Sequence, residues 1–366
     1  MILKKKDTYL KIGIIGLPQT GKKTFFQILT GHELTEKDIV SGKPIKNIAE
    51  IKDPRFDTLS DMYNPKKNVR ARVEIEILPK IEKDTIAKGD IFKDIAEMDA
   101  IAHVVRSFAD ESVYHIDGSV DGPRDIDNIN SELILHDMLF IEKRLERLDK
   151  SIKKLNDAQS IKEKALLLKI KEHLDKNLPL RLLTLDSNEK KLISSYPFIT
   201  FKKMLIVLNV SEDDILDNSI IEGMQERYKD ADLYIMPACA KVESEIASLE
   251  TEQEREEFLQ ALGIKEPAAS VMTRLCIKAL NLISFFTVGP DEVRQWSVTA
   301  GSSAPEAAGV IHTDLQKGFI RAEVIKYDDL VALGSEAKVK ESGKAYLKGK
   351  DYIVEDGDLL DIRFNV

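Results

Sequence analysis

The stretch GLPQTGKKT, residues 16–24, decides how the rest of this 366-residue sequence is interpreted. The apolar run YLKIGIIG leads into it, and KTFFQILTG continues from it with apolar residues at helical spacing before a glycine. A strand, a G-x-x-x-x-G-K turn and a helix in that order form the context that a phosphate-binding loop requires. The glycines let backbone N–H groups turn toward a phosphate chain, and Lys22 and the helix N-terminus add positive charge. The stretch therefore predicts a P-loop nucleotide site, the alternative being a glycine-rich turn without function.

The residue after Lys22 departs from the usual loop. In P-loop proteins this position carries a Ser or Thr hydroxyl that ligates Mg²⁺. Here it is Lys23, whose ammonium group cannot ligate a cation, and Thr24 comes one residue later at another angle around the helix. We therefore expect a site in which the charge of Lys23 partly replaces the metal ion.

Composition excludes several classes of protein. The net charge of -9 argues against broad, non-specific binding of nucleic acid, although a local basic patch stays open. The two cysteines, Cys239 and Cys276, lie in apolar surroundings and predict buried thiols in a reducing compartment. The N-terminal lysines are not followed by the apolar segment of a secretion signal, and no uncharged run approaches a membrane span. These features predict a cytoplasmic protein with no membrane partner.

The arrangement of apolar runs predicts an α/β fold with a parallel sheet. Further strands are expected in ARVEIEIL (71–78), AIAHVVRSF (100–108), MLIVLNV (204–210) and LYIMPACA (233–240), with helical stretches between them. His103, on the second of these strands, is expected to be a core histidine with satisfied hydrogen bonds. Residues beyond 280 are typical of a compact region of strands and turns.

Residues 130–176 form a long segment without glycine, and their apolar residues follow a different pattern from those of the strands. Its apolar residues recur in two helical series, which include Leu135, Leu139 and Leu145, on either side of a break at 156–160. The pattern predicts two antiparallel helices inserted into the sheet domain. Between Glu142 and Lys176 there are 11 Lys+Arg and 7 Asp+Glu. Two interpretations stay open: a solvated helical face, or a docking surface for an anionic partner such as ribosomal RNA.

Several motifs resemble those of the YchF/Obg-like ATPases. They are GLPQTGKKT, DAIAHVVRSF (99–108), VDGPRDIDNINSEL (120–133), PACAKVESEI (237–246) and nearly all of the C-terminus, from FFTVGPDEVRQWSV to GKDYIVEDGDLLDIRFNV. The resemblance implies a P-loop domain of the translation-factor class in two parts, an inserted helical coiled coil and a TGS domain of β-grasp type. The corresponding ranges are 1–129 and 199–280, 130–198, and 281–366. It also implies binding of ATP, often in preference to GTP, weak hydrolysis, and association with ribosomes.

The base-binding elements follow from the same resemblance. Asn209 to Glu212 match the family's N-x-x-E variant of the guanine-reading N-K-x-D motif, and without that Asp adenine becomes acceptable. Ala238 to Lys241 match the last nucleotide loop. The alternative for Asn209 is a loop asparagine that caps a helix. The predicted nucleotide-binding residues are Gly16, Pro18, Gln19, Thr20, Gly21, Lys22, Lys23, Thr24, Asn209, Val210, Glu212, Ala240 and Lys241. His115 matches a histidine proposed to act near the γ-phosphate, the alternative being an ordinary surface histidine.

The departures from the family pattern concern one ion. The family's D-I-A-G-L sequence becomes ILPKI, so that Ile77 replaces the Asp near the magnesium ion and Lys80 replaces the Gly that senses the γ-phosphate. Between Gly31 and Asp53 there is no equivalent of the switch threonine. No metal-binding residues are therefore predicted, and Mg²⁺ is not expected to be held in the usual way. The main hypothesis is an ATP- or GTP-binding, ribosome-associated protein with weak or lost hydrolysis. The rivals are an active hydrolase with a metal-sparing mechanism and a nucleotide-free scaffold, so enzymatic activity stays open.

Overall fold

The computed structural model describes residues 9–36, 38, 43–79, 81, 90–155 and 157–365. Within these residues the chain divides into two compact units. The first compact unit comprises residues 11–47 and 75–269; the second comprises residues 9–10, 48–74 and 270–365. The four-part division given in the sequence analysis remains a prediction.

Twelve strands are defined in the described residues. They are β1 (Leu10–Ile15), β2 (Ile45–Glu50), β3 (Lys67–Val69), β4 (Arg72–Ile77), β5 (Ala100–Arg106), β6 (Lys203–Asn209), β7 (Leu233–Ala238), β8 (Leu282–Thr287), β9 (Glu292–Thr299), β10 (Phe319–Lys326), β11 (Tyr346–Lys348) and β12 (Asp358–Phe364).

The α-helices that lie entirely within the described residues are α1 (Lys22–Thr30), α2 (Pro54–Tyr63), α3 (Asp90–Ala96), α4 (Gly122–Leu155), α5 (Ala158–Leu174), α6 (Ser187–Leu192), α7 (Asn218–Arg227), α8 (Ala240–Ser248), α9 (Glu252–Ala261), α10 (Ala268–Ala279), α11 (Ala304–Ile311), α12 (Thr313–Lys317), α13 (Tyr327–Leu333) and α14 (Glu336–Glu341). No helix of the described residues has both the length and the hydrophobicity of a membrane span.

The first sheet has the strand order β2-β4-β1-β5-β6-β7. Strands β1, β5, β6 and β7 pair in parallel, with Ile12 opposite Ala100 and Arg106 opposite Asn209. Every residue of β5 is buried, as is typical of a parallel strand covered on both faces. The α/β fold with a parallel P-loop-type sheet is therefore confirmed, and the carboxyl ends of β1, β5 and β6 meet at one edge.

Helices α4 and α5 form the predicted hairpin. Ile134, Ile141 and Leu148 recur every seven residues on α4 and are almost completely buried. They pack in one cluster with the buried residues Leu167 and Ile170 of α5, as in a coiled-coil seam. The predicted apolar series was wrong at Leu135 and Leu139, which are each 48% exposed because they lie beside this seam.

Helix α4 is also fastened to the turn that precedes β6. The carboxylate of the fully buried Asp137 accepts hydrogen bonds from the backbone N–H groups of Ile199 and Thr200, at 3.1 and 2.9 Å. It also accepts one from the Thr200 hydroxyl at 2.6 Å. Three donors stabilise a buried carboxylate that would otherwise be costly to desolvate. The hairpin is therefore anchored within the first unit by a polar contact as well as by apolar packing.

The second sheet, in the order β11-β10-β12-β8-β9-β3, lies in the second unit. Strands β8 and β9 are antiparallel, as are β10 and β12, whereas β12 pairs with β8 in parallel. This mixed sheet with helices is the TGS-like C-terminal β domain that was expected. Strand β3 and helix α2, which come from residues 54–69, belong to the same unit, because Phe56 and Leu59 share a buried cluster with Phe286.

Candidate functional site

The phosphate loop has the backbone geometry that its two glycines allow. Gly16 has φ +147°, and a Cβ atom there would overlap the carbonyl oxygen of Val104 on β5. Gly21 has φ +96°, and a Cβ atom there would lie 2.5 Å from Nδ2 of Asn209. Both positions therefore exclude a side chain by conformation and by space. The loop runs against β5 and β6 at the carboxyl ends of their strands, where α/β proteins bind ligands.

Lys22 lies folded over this loop. Its ammonium nitrogen donates to the carbonyl oxygens of Gly16 and Leu17, at 2.5 and 2.6 Å, and the residue is only 7% exposed. The Thr20 hydroxyl also bonds to the Leu17 carbonyl, at 3.1 Å. These contacts keep a buried cation on the loop whose backbone N–H groups would bind phosphates.

Asn209, at the end of β6, connects two loops through its side-chain amide. Its Nδ2 donates to the Thr20 carbonyl at 3.0 Å, and its Oδ1 accepts from the Ala240 N–H at 2.9 Å. The residue is 4% exposed. The side chain therefore fixes the phosphate loop to the loop before α8, and its two polar atoms are both engaged in this contact.

Arg106 shapes the opposite wall and was missed by the sequence analysis. It is 2% exposed, and its guanidinium donates to the carbonyl oxygens of Phe108, Asp110 and Val113 at 3.2, 3.0 and 2.9 Å. The guanidinium carbon also lies 4.6 Å from the centre of the Phe108 ring. One buried side chain thus holds the whole loop 108–113. The available signal was an arginine at the end of the strand AIAHVVR, which is apolar except for His103 and this arginine.

A cavity of about 740 Å³ opens between these loops. Its volume falls within the range of small-molecule and cofactor sites. The predicted residues that line it are Gln19, Gly21, Thr24, Asn209, Val210, Glu212, Ala240 and Lys241. The lining residues that were not predicted are Phe108, Ala109, Asp110, Val113, Ser211, Asp213, Cys239, Ser244 and Glu245. Gly16, Pro18, Thr20, Lys22 and Lys23 belong to the phosphate loop but are not among the lining residues.

An ion pair closes one side of the cavity. The Lys241 ammonium lies 3.1 Å from a carboxylate oxygen of Glu212. The hydrogen bond to Glu212 raises the pKa of Lys241. Their side chains are 70% and 44% exposed, so this pair contributes little to stability. Its effect is to place one cation and one carboxylate beside the space enclosed by Phe108, Val210 and Cys239.

The residues at the usual magnesium positions do not fit that ion. Lys23 is exposed, and Ile77 is an apolar core residue that is 5% exposed, so neither offers an oxygen ligand. Thr35, in the segment where a switch threonine would lie, donates its hydroxyl to Asp38 at 2.6 Å. Lys80 lies outside the described residues. Within the described ranges, no group of three or more acidic, histidine or cysteine side chains could hold a metal ion.

His115 is held away from the cavity lining by contacts on both ring nitrogens. Nδ1 accepts from the N–H of Asp117 at 3.2 Å, which leaves the proton on Nε2, 3.1 Å from the Asp125 carboxylate. The side chain is 5% exposed, and Asp125 is also bound by Arg124. His115 is therefore a buried histidine in the loop before α4, and its catalytic role remains a prediction.

The expectation for His103 was wrong in one respect. The residue lies in the core as expected, at 1% exposure, but neither ring nitrogen has a hydrogen-bond partner in the described part of the chain. Burial, with the charge of Lys22 as the second cause, lowers the pKa of His103 to about 3. The imidazole is therefore neutral at physiological pH, which limits the cost of burying it without partners.

Comparison with known proteins identifies relatives along the whole chain. The family model YchF-GTPase_C, described as "Protein of unknown function (DUF933)", matches residues 282–365. The "Ribosome-binding ATPase YchF" of Bacillus subtilis (strain 168) is 40% identical over 367 residues, which cover 98% of this chain and 100% of that protein. The "Obg-like ATPase 1" of Oryza sativa subsp. japonica is 36% identical over 380 residues, covering 100% of this chain and 94% of that protein. The solved "Structure of the Schizosaccharomyces pombe YchF GTPase" has a TM-score of 0.81 and 30% identity, and the match covers 98% and 99% of the two chains.

Proposed function

This chain belongs to the YchF family, and from that premise we propose that it binds a nucleoside triphosphate, ATP or GTP, and associates with the ribosome. The phosphates bind along the backbone of residues 16–22, and the base enters the cavity beside Phe108, Val210 and Lys241. The observation that carries the nucleotide part is the joining of this loop to the cavity by Asn209, whose amide bonds to Thr20 on one side and Ala240 on the other.

The chemistry of the site supports tolerance for adenine. Recognition of guanine by P-loop proteins needs a carboxylate held at one position, whereas here Glu212 is half exposed and paired with Lys241. An exposed carboxylate on a longer side chain imposes less geometry on a base than a short buried one. ATP and GTP are therefore both ligands of this site. Contacts along the cavity wall set the preference between them.

The proposed association with the ribosome is based on sequence similarity to relatives. The relatives from Bacillus subtilis and from Escherichia coli O157:H7 carry the name "Ribosome-binding ATPase YchF". The helical hairpin of α4 and α5 is the surface that we assign to contact with ribosomal RNA, because its sequence is basic in an acidic chain. The TGS-like domain is a second surface for the same assembly.

Hydrolysis in this protein is weak or absent. Phosphoryl transfer depends on a metal ion that neutralises charge on the β- and γ-oxygens. Lys23 and Ile77 stand where oxygen ligands are needed, and loss of one electrostatic contact of this type lowers rates by about 10²-fold or more. The second candidate is an active hydrolase that spares the metal ion, and it is favoured by the relatives' name of ATPase.

Calorimetry and a turnover assay separate these two candidates. We expect the affinity for ATP, and the affinity for GTP, to be the same in the presence of Mg²⁺ as in the presence of a chelator. Labelled ATP should be converted to product at a rate near the background. Lys22→Ala should weaken binding by at least about tenfold, since it removes a buried cation worth about 1.5–3 kcal/mol in charge-assisted bonds. Rapid turnover that depends on Mg²⁺ and disappears in Lys22→Ala would contradict the proposal. Absence of binding in every condition would instead support the nucleotide-free scaffold.

A further inference from the structure

Helix α4 carries a row of three cations on its outer surface. Lys143, Arg147 and Lys150 are all exposed and are spaced i, i+4 and i+7, so they lie on one face of the helix. At 1.5 Å per residue the row is about 10 Å long. We call these three residues the α4 cationic stripe.

The stripe differs from several basic residues of the hairpin in its lack of partners. Within the described residues, none of its three side chains makes an ion pair or a hydrogen bond. Four lysines of the segment around α5 are instead paired with acids. Lys164 pairs with Asp149, Lys169 with Glu189, Lys171 with Glu142, and Lys176 with Glu172, at 2.6, 2.7, 2.8 and 2.9 Å respectively.

Such a row is unfavourable within the helix itself. Like charges at i, i+4 destabilise a helix by about 0.2–0.5 kcal/mol per pair. Glu146 is the acid at helical spacing from Lys143 and Lys150, yet it pairs with neither of them in the described part of the chain. The positive charge of the stripe is thus left available to a partner outside the chain.

We propose that the α4 cationic stripe binds the phosphate backbone of RNA, and that this is the contact by which the hairpin docks on ribosomal RNA. The inference rests on the proposed association with the ribosome and specifies its chemistry. Phosphate contacts need only Lys and Arg side chains, whereas protein interfaces depend on buried aromatic or aliphatic anchors. The three stripe residues include no such anchor. Leu139 is exposed one turn away and offers an apolar contact to a protein partner. The test therefore also includes an acidic peptide.

The test compares two triple variants of the full chain that remove the same charge. The stripe variant is Lys143→Gln, Arg147→Gln and Lys150→Gln. The control is Lys169→Gln, Lys171→Gln and Lys176→Gln, which removes three cations that are already paired. Binding is measured to purified ribosomes, to a short labelled RNA hairpin and to a poly-glutamate peptide, over a series of potassium chloride concentrations. ATP affinity and the circular dichroism spectrum are recorded for each variant.

We expect the stripe variant to lose at least about tenfold in affinity for ribosomes and for the RNA hairpin. The slope of log K against log salt should fall by about 2–3, since each phosphate contact contributes roughly 0.7–0.9. The control should bind within about threefold of the wild type, because paired cations release fewer counterions. Glu146→Gln should strengthen RNA binding, because it removes a negative charge next to the stripe. A misfolded variant would not show such an increase in affinity.

Three results would overturn the inference. One is a stripe variant that binds ribosomes and RNA as well as the wild type does. Another is an equal loss in the stripe variant and the control, which would show a dependence on net charge alone. The third is a loss confined to poly-glutamate, which would indicate an acidic protein partner. If wild-type protein binds the RNA hairpin through the stripe but does not bind ribosomes, the proposed ribosome association fails while the RNA contact stands.

Discussion

Asn209 illustrates how one side chain can organise a site by joining two of its loops. A single amide satisfies a carbonyl of the phosphate loop and an N–H of the loop before α8, and Gly21 packs against the same nitrogen. The two loops come from positions 189 and 31 residues away from Asn209 in the chain. The first residue of the N-x-x-E motif therefore has a structural role, because it holds two loops of the site together.

We expect Asn209→Ala to lower nucleotide affinity and stability together. The change leaves the buried Thr20 carbonyl and Ala240 N–H without partners, at about 1–3 kcal/mol for each unsatisfied group. Asn209→Asp should be at least as harmful to affinity, because a carboxylate oxygen would face the Thr20 carbonyl. Calorimetry with ATP and urea unfolding measure the two effects. Asn188→Ala is the matched control, since Asn188 is exposed on α6 and does not line the cavity. A wild-type affinity in Asn209→Ala would show that this amide does not hold the two loops together.

A substitution of Arg106 should distinguish the contribution of the base to nucleotide affinity from that of the phosphates. Arg106→Lys keeps the charge but cannot reach three carbonyls, so the loop with Phe108 should loosen while residues 16–22 keep their geometry. We expect ATP affinity to fall by about tenfold, equivalent to one hydrogen bond, and tripolyphosphate affinity to stay within about twofold. Equal losses for both ligands would indicate a general disruption of the fold instead.

At the scale of elements, the hairpin combines an apolar seam with a polar cluster. Glu163 on α5 accepts a bidentate pair of hydrogen bonds from Arg144 on α4, at 2.6 and 3.0 Å, and one from the Tyr196 hydroxyl. Burial by itself would raise the pKa of Glu163, but the bonds from Arg144 and Tyr196 outweigh it and hold the pKa below its usual value. The cluster therefore joins α4, α5 and the segment that returns to the sheet.

The lowered pKa of Glu163 predicts how stability changes with acid. A carboxyl whose pKa is lower in the folded state stabilises the fold above its unfolded pKa, and this contribution is lost as the pH falls through the folded value. Glu163→Gln should therefore cost about 1–2 kcal/mol near neutral pH, a figure reduced because Arg144 is one-third exposed, and the difference from wild type should shrink below about pH 4.5.

Thermal unfolding followed by circular dichroism between about pH 6 and pH 3 measures this convergence. Glu172→Gln is the matched control on the same helix, because Glu172 pairs with Lys176 at an exposed site. Its difference from wild type should stay small across the range. Curves for Glu163→Gln and wild type that run parallel down to the lowest pH would show that the cluster does not supply the stability assigned to it.

At the scale of the whole molecule, the second compact unit is assembled from distant parts of the chain. Arg55 at the start of α2 pairs with Asp53 and with Asp356, which is 301 residues away. Phe56 and Leu59 on the same helix are 2% and 0% exposed within a cluster around Phe286. The C-terminal β domain is thus completed by a segment that precedes the whole hairpin.

This assembly predicts that residues 281–366 alone are less stable than the same residues in the full chain. The fragment would expose the apolar surface that Phe56 and Leu59 cover, so it should bind a hydrophobic dye and unfold at lower denaturant. Fusing residues 48–74 to it should reverse both effects. In the full chain, Phe56→Ala should cost about 3–5 kcal/mol, whereas Met62→Ala, at a side chain 37% exposed, should cost little. An equally stable fragment would refute this dependence.

Features that depend on local pattern could be predicted from the amino-acid sequence. The P-loop, the buried strands and the two hairpin helices follow from spacing over a few residues, since backbone conformation and amphipathic period are short-range properties. Four other features became evident from the folded chain: the contact of Asn209 with two loops, the loop held by Arg106, the exposed positions of Leu135 and Leu139, and the packing of α2 with the C-terminal sheet. These depend on contacts between residues far apart in the chain, where partners and side-chain directions are set by packing that no local pattern encodes.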